Sequence, residues 1–387
     1  MVLLCQNLVV FIAVIILATI PSVTATAVKS QPTQIRIGTR PSPLAKVQAQ
    51  AVADLLQKSG ADASSRNDDK SSTRASAVQC TIEEIQTTGD YSSRTAGAKD
   101  LPLAVQAVDF TGALDDALLN HQIDAAVHSL KDIPPTSRWR QGLYISCHLA
   151  REIPQDVLVG RYSSIESLPP NAKVGTSAMR RQAQILALRP DLDLINVRGN
   201  VETRLGVLRD GSVDALILAQ AGLDRLLRSS EGRDKVNDIP YHPIPSNDIL
   251  SAACQGIVAV VCRADDSTTR QWMAKINDKD SSIAAAAERS FLDALDSFSP
   301  SHYGQDATIS WKGRPPLAAF MDKIASKSDE IIGREQWTFQ GLLARPDGSK
   351  VVRESQTTDI VSVEAAAKLG RHVAETILQK AGKDFYA

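Results

Sequence analysis

Two rhythms of apolar and polar residues run along the chain. Short apolar runs closed by Gly, Pro or charged residues predict buried strands, and apolar residues three or four apart predict helices. Ile35 and Ile37 alternate as in a strand, Gly38 to Pro43 forms a turn, and Val47, Ala51 and Leu55 mark a helix over Ala45 to Gln57. Ser42 stands where a helix cap would, and Pro43 suits a first helical turn. Cys80 to Ile85 predicts a strand, Phe110 to Asn120 a helix, and Ile123 to Val127 a strand broken only by Asp124. Further on, Asp156 to Gly160 opens a new apolar run after a polar stretch, so a boundary falls near Ala150 to Pro154. Strand, helix, strand, helix, strand, helix then follow, with strands before Gly175 and over Leu194 to Val197 and Ala215 to Leu218. Ile257 to Val261 is one more strand.

The last third alternates more than it runs. A helix over Ser281 to Leu295 precedes strands over Ala307 to Trp311, Trp337 to Leu343 and Lys350 to Glu354, and a helix over Ala365 to Ala381. Arg345-Pro346-Asp347-Gly348 supplies a hairpin turn between the last two strands. Gly60 to Ala77 and Leu317 to Arg334 read as insertions, and Tyr91 to Val108 as a loop able to cover a site. Strands alternating with helices predict an α/β fold with parallel sheets, followed by a small α+β domain.

Composition narrows the function. The 387 residues are 43% hydrophobic but only 4% aromatic, which suits helices on sheets rather than an aromatic-rich interface. A formal net charge of −1 gives no whole-chain field to attract nucleic acid or a membrane surface. Leu8 to Ile20 is apolar and Ala25-Thr26-Ala27 offers small residues for cleavage, so residues 1–27 read as a signal peptide. Of five cysteines, Cys5 lies in that segment, and Cys80, Cys147, Cys254 and Cys262 show no CxxC or metal-ligand spacing.

The candidate chemistry gathers at strand ends. Lys131 and Asp132 follow the strand that ends near Val127, and Pro134-Pro135 forces extended backbone just beyond. In open α/β sheets, ligands bind at the carboxyl ends of strands. Arg40 follows the first strand. Arg180 and Arg181 occupy the first turns of a helix, against its dipole, a placement that an anion would repay. Arg198, Arg204 and Arg225 follow two further strands. Five arginines on one sheet edge predict a multiply anionic ligand, because guanidinium forks match carboxylates.

These residues resemble the porphobilinogen deaminase (hydroxymethylbilane synthase) family. IRIGTRPSPLA, AAVHSLKDIP, VGTSAMRRQAQ, VRGNVETRL, DALILAQAGLDRL and the Gln255-Gly256 segment stand in the family's order and spacing. The resemblance implies an enzyme that joins four porphobilinogen units head to tail with loss of ammonia, on a dipyrromethane primer held by a cysteine thioether. It implies Asp132 as the catalytic carboxylate, placed to steady a cationic azafulvene and relay protons. It implies Arg40, Ser42, Lys131, Arg180, Arg181, Arg198, Arg204 and Arg225 as binders of pyrrole acetates and propionates, and Gln48, Ser129, Thr176 and Gln255 as polar site residues. The implied fold has two hinged domains like a periplasmic binding protein plus a small C-terminal domain. The corresponding boundaries are residues 34–150 with 249–266, 151–248, and 267–387. A monomer in a plastid, acting on a small-molecule substrate with no nucleic acid and no membrane in its mature form, completes the expectation.

The sequence departs from the family at one loop above all. Ala287-Glu288-Arg289 on one side and Gly304 with Ala307-Thr308-Ile309 on the other pin the register, so Ser299 takes the cofactor cysteine's place. A thiol is partly thiolate and strongly nucleophilic, whereas a serine hydroxyl needs a general base. Phe298 replaces a glycine, Gly112-Ala113 a Lys-Glu pair, Val261 an acidic residue and Cys254 a common glycine. The acid and arginine motifs support an active enzyme. Ser299 supports a degenerate paralogue that binds pyrrole polycarboxylates without turnover. A secreted solute-binding protein would use the two-domain arrangement but would need neither Asp132 nor the third domain.

Overall fold

The chain threads two mixed five-stranded sheets, crossing between them twice, and ends in a three-stranded sheet. A computed structural model describes residues 32–65, 78–88, 90, 109–297, 316–324, 336–360, 362–382 and 385. Thr33–Ala387 form one compact unit. The first sheet takes β1 (Thr33–Thr39), β2 (Val78–Glu84), β3 (Ala125–Ser129) and β4 (Leu143–His148). Helices α1 (Pro43–Ser65) and α2 (Gly112–Leu119) connect them. The chain then crosses to the second sheet through β5 (Asp156–Val159). That sheet continues with β6 (Lys173–Gly175), α3 (Met179–Leu188), β7 (Asp193–Ile195), α4 (Val201–Arg209), β8 (Ala215–Ala219), α5 (Gln220–Arg228), α6 (Ser230–Val236) and β9 (Tyr241–Pro243). It returns to the first sheet as β10 (Val258–Arg263).

Strand orders are β2-β1-β3-β10-β4 and β7-β6-β8-β5-β9. In each sheet three strands run parallel, and the crossing strand, β10 or β5, lies antiparallel beside them. The sheets are therefore mixed rather than purely parallel. The antiparallel strand follows from the crossing itself, because a chain that leaves one sheet near its active edge enters the next from that edge.

Both faces of each sheet are covered, which explains the continuous apolar runs. Val157 and Val159 pack with Leu205, Leu223 and Leu226 of the α4–α5 face, while Leu158 between them packs with Ile185 of α3. In β10, Val258, Val260 and Cys262 meet α1 and α7 (Ser267–Ala274), and Ala259 and Val261 face the opposite core. Asp124, the one charge in its apolar run, accepts from both the backbone and the guanidinium of Arg36.

The third sheet comprises β11 (Leu317–Lys323), β12 (Gln336–Ala344) and β13 (Val351–Asp359), joined by the expected Arg345–Gly348 turn. It packs on α8 (Lys279–Ser297) and α9 (Val363–Ala381). Two expectations need correction. Leu317 to Lys323 is a paired strand of this sheet, not part of an insertion; its Ala318, Ala319 and Met321 are core residues. α1 runs on to Ser65, six residues into the stretch read as an insertion from Gly60; a β-carbon at Gly60 would only reach ordinary van der Waals contact with Val78 and Trp272. The signal peptide, the loop expected over Tyr91 to Val108, the strand expected over Ala307 to Trp311, and Ser299 lie outside the described residues.

Helices α8 and α9 cross at a glycine. A β-carbon on Gly370 would stand 1.9 Å from the carbonyl oxygen of Ala287. Backbone cannot swing aside as a side-chain tip can, so Gly370→Ala should lower stability by about 1–3 kcal/mol or more. Gly206→Ala on α4, where a β-carbon meets nothing within 4 Å, should instead raise it by up to ~1 kcal/mol. Urea midpoints check both; an unchanged midpoint in Gly370→Ala would contradict the close crossing.

Candidate active site

The carboxyl ends of the parallel strands supply the site from both sheets, as α/β topology favours. After β1 comes Arg40. Ser42 then caps α1, its Oγ 3.4 Å from the backbone nitrogen of Ala45. After β3 the chain makes one 3-10 turn, Leu130–Asp132, before Ile133 turns extended ahead of Pro134. That turn leaves Asp132 exposed and Lys131 half-buried. From α1, Gln48 donates to Ser129 Oγ at 2.9 Å and holds the strand end from one side. From the other side, Arg289 of α8 donates to the carbonyl of Pro134 at 2.9 Å, and the backbone nitrogen of Thr136 donates to Asp293 at 2.8 Å.

Lys131 donates to Gln255 Oε1 at 3.1 Å. Burial pushes its ammonium down to about 8; Arg181 and Arg180 act the same way, while Asp132 and Asp156 oppose them. Gln255 sits on the returning crossover, and its Nε2 donates to the carbonyl of Pro154 (2.7 Å) and to Asp156 Oδ1 (2.8 Å) on the outgoing one. Gly256 beside it has φ +90, and a β-carbon there would lie 2.3 Å from the carbonyl of Glu152, so only glycine lets the two crossovers close.

In the second sheet, Thr176 is fully buried after β6, and its hydroxyl accepts from the backbone nitrogen of Ala178 at 3.3 Å. Arg180 and Arg181 on α3 meet Asp156, which has no exposed surface. Arg181 Nη2 donates to Oδ1 at 2.7 Å. Arg180 Nη1 lies 2.7 Å from Oδ2, with its N–H directed at the carbonyl of Leu250. Burial works against ionisation of Asp156, yet the two guanidiniums hold its pKa well below the usual carboxylate range. The anion that offsets the unfavourable helix placement is thus the protein's own. Arg181 Nε is left without an acceptor among the described residues.

Arg204 on α4 donates its Nε to the carbonyl of Gly199 at 2.9 Å and makes no ion pair among the described residues. Burial lowers it to about 10, with Arg181 and Arg198 adding to the effect and Asp132 opposing. The charges of Asp132 and Arg181 act on both Lys131 and Arg204, and that of Arg198 acts on Arg204, so these groups of the two sheets lie near one another. The other two arginines are committed elsewhere. Arg225 donates to Glu152 (3.2 Å) and to the carbonyl of Gly256 (2.7 Å). Arg40 forks onto Asp90, with Nε 3.1 Å from Oδ1, and its guanidinium stacks 4.0 Å above the Phe110 ring. The single shared edge expected of five arginines is therefore divided, with protein carboxylates holding Arg180, Arg181 and Arg225.

Sequence reasoning missed those carboxylates. Asp156 looked like the start of an apolar run, and Glu152 like linker. Their signal was present in the spacing of REIPQD immediately before a strand, since a charge beginning a buried strand needs a partner.

The family model described as porphobilinogen deaminase, dipyromethane cofactor binding domain, matches residues 35–271. The chloroplastic porphobilinogen deaminase of Oryza sativa subsp. japonica is 35% identical over 355 residues, covering 91% of this chain and 85% of its own. The chain belongs to the porphobilinogen deaminase family. The Paracoccus denitrificans relative is 36% identical over 357 residues (91% and 96% of the two chains), and the chloroplastic one of Pisum sativum 33% over 358 (91% and 83%). Among solved structures, the extracellular-binding protein of a probable amino-acid ABC transporter from Bacillus subtilis is 14% identical, covers 64% of this chain and 90% of its own, and has a TM-score of 0.35. That likeness is too loose to carry an argument.

The cations after the strand ends fit a dipyrromethane in charge. Lys131 and Arg204 are cations with depressed pKa values and no ion pair among the described residues, so an entering carboxylate would relieve both. The described thiols do not fit a thioether anchor. Cys147, Cys254 and Cys262 are buried and Cys80 half-buried, and burial pushes all four thiols up. Cys254 also has φ 64, the left-handed region that accounts for the glycine common at its position. Its backbone nitrogen donates to Glu288 in the core, well away from any solvated nucleophile.

His128, between the apolar end of β3 and Ser129, is buried with Nε2 unpaired among the described residues. Burial, aided by Arg40, lowers it to about 4 from 6.5. A folded pKa below the unfolded one means that its stabilisation is complete above pH 6.5 and is lost as pH falls through 4. Unfolding free energy should therefore fall by on the order of 3 kcal/mol on acidification over that window. His128→Gln should make the urea midpoint less sensitive to pH there; an equally steep dependence would show that other groups carry it.

Proposed function

We propose that this chain condenses porphobilinogen into a linear tetrapyrrole with release of ammonia, using the cleft between the two five-stranded sheets. The observation that carries this reading is Asp132, exposed at the end of β3, whose charge acts on both Lys131 and Arg204. The reaction needs an anion beside the aminomethyl carbon as ammonia leaves and positive charge develops. It also needs cations to seat acetate and propionate side chains. Lys131, Arg198 and Arg204 supply that seat most directly, with Arg181 behind them; Ser42, Gln48, Ser129, Thr176 and Gln255 shape it. Arg40 and Arg225 hold its walls through Asp90 and Glu152. The two crossed sheets act as two domains, and the three-stranded sheet with α8 and α9 as the third.

A bound dipyrromethane would supply the pyrrole carbon that accepts each new unit. This chain's part is to hold the carboxylates and to take up and return protons at Asp132. Ser299 at the attachment position supports a second reading, in which pyrrole polycarboxylates bind without turnover. The plant relatives are named chloroplastic. Delivery of this chain to a plastid through residues 1–27, with a monomer as the working form, belongs to the same proposal. No helix among the described residues is long and apolar enough to cross a membrane.

The test combines intact mass with turnover. Purified protein is incubated with porphobilinogen, and tetrapyrrole formation and covalent mass are followed for the parent, Asp132→Asn and Ser299→Cys. An enzyme predicts product from the parent and a loss of at least about 100-fold in Asp132→Asn, the scale of one general acid–base group. Ser299→Cys should raise cofactor loading, seen as an added mass of two pyrrole units. Absence of product from both the parent and Ser299→Cys, with binding retained, would establish the non-catalytic reading.

A further inference from the structure

The proposed chemistry leaves Asp156 without a task. Its side chain is fully buried at the first position of β5, so it contacts no solvent. Burying a carboxylate is costly, and an apolar residue at the start of a buried strand would avoid that cost. What Asp156 gains is a set of three partners from two places. Arg180 and Arg181 reach it from the first turn of α3, and Gln255 reaches it from the returning crossover.

The orientation of Gln255 is fixed by what lies at each end. Its Oε1 accepts from the Lys131 ammonium, and its Nε2 donates to two acceptors, Asp156 and the carbonyl of Pro154. A flipped amide would set N–H against ammonium and oxygen against carboxylate. The amide dipole therefore bridges a cation of the first sheet and an anion of the second.

We propose that Asp156 is a positioning residue: through Gln255 it holds Lys131 beside Asp132, and through its two oxygens it aims Arg180 and Arg181. The two sheets then present their cations as one set. The proposal rests on reading the cleft as the pyrrole-carboxylate site, but its central link, from Asp156 to Lys131, exists without any ligand. The charged groups acting on Lys131 are Asp132, Arg181, Asp156 and Arg180. Removing the charge of Asp156 leaves two guanidiniums opposed only by Asp132, so the ammonium becomes easier to deprotonate.

The experiment measures reductive methylation of Lys131 against pH in the full chain, by peptide mass spectrometry, with neither porphobilinogen nor cofactor needed. The parent should label half-maximally near pH 8. In Asp156→Asn the midpoint should fall by on the order of one pH unit, with labelling at pH 7 rising several-fold. Gln255→Met, which keeps both guanidiniums on Asp156 but removes the acceptor for Lys131, should shift it the same way. It remains informative if Asp156→Asn does not fold. A residue of purely structural importance would lower the melting temperature and leave the midpoint in place. An unmoved midpoint in folded Asp156→Asn, or in Gln255→Met, would overturn the proposal. Failure of tetrapyrrole formation in the parent would instead count against the functional reading alone.

Discussion

Glu288, fully buried on α8, accepts hydrogen bonds from both crossovers and from the third sheet. Arg151 on the outgoing crossover donates through both terminal nitrogens (2.5 and 3.2 Å), the returning crossover through the backbone nitrogen of Cys254, and the third sheet through that of Met321 (2.8 Å). A carboxylate with no exposed surface is stable only with such a complete set. Loss of one partner from a buried pair of this kind costs on the order of 3–5 kcal/mol. The crossovers lie where Glu288 holds them, and their own backbone bonds, Leu149 to Val258 and Glu152 to Gly256, follow. That register brings Gln255 against Asp156, and so joins Lys131 to Arg180 and Arg181. The next residue, Arg289, fixes the Pro134 end of the turn that carries Asp132.

The Leu130–Asp132 turn is therefore held at three points that belong to different segments. Gln48 steadies Ser129 before it, Gln255 takes Lys131 within it, and Arg289 grips the carbonyl beyond it. This is preorganisation in structural terms: the turn stands in place without relying on a ligand to assemble it. The depressed pKa values of Lys131 and Arg204 are the cost of keeping cations buried near one another. Under the proposed function, a bound polycarboxylate would offset that cost.

Much of this was legible in the sequence. The strand before Lys131-Asp132 and the strand-to-helix turns carrying Arg180, Arg181, Arg198 and Arg204 could be placed because turn residues and apolar runs are local signals. Membership of the family was legible from the same motifs. What could not be read was pairing. Arg40, Arg180, Arg181 and Arg225 looked like ligand-binding groups, and their internal partners Asp90, Asp156 and Glu152 lie 50, 24, 25 and 73 residues away in sequence respectively, a separation no local pattern encodes. β11 was missed because its core residues are two alanines and a methionine, Ala318, Ala319 and Met321, which carry little strand signal on their own. Glu288 and Arg289 served only to align a loop, although they hold the crossovers and the end of the Leu130–Asp132 turn.

The central claim is that protein carboxylates satisfy some of the cleft's arginines while Lys131 and Arg204 remain for the ligand. Crystals soaked with porphobilinogen test it most directly. The account predicts pyrrole carboxylates within ion-pair distance of Lys131 and Arg204, with Arg180 and Arg181 still on Asp156. A pyrrole bound away from Lys131 and Arg204, or one whose carboxylates have drawn Arg180 and Arg181 off Asp156, would contradict it.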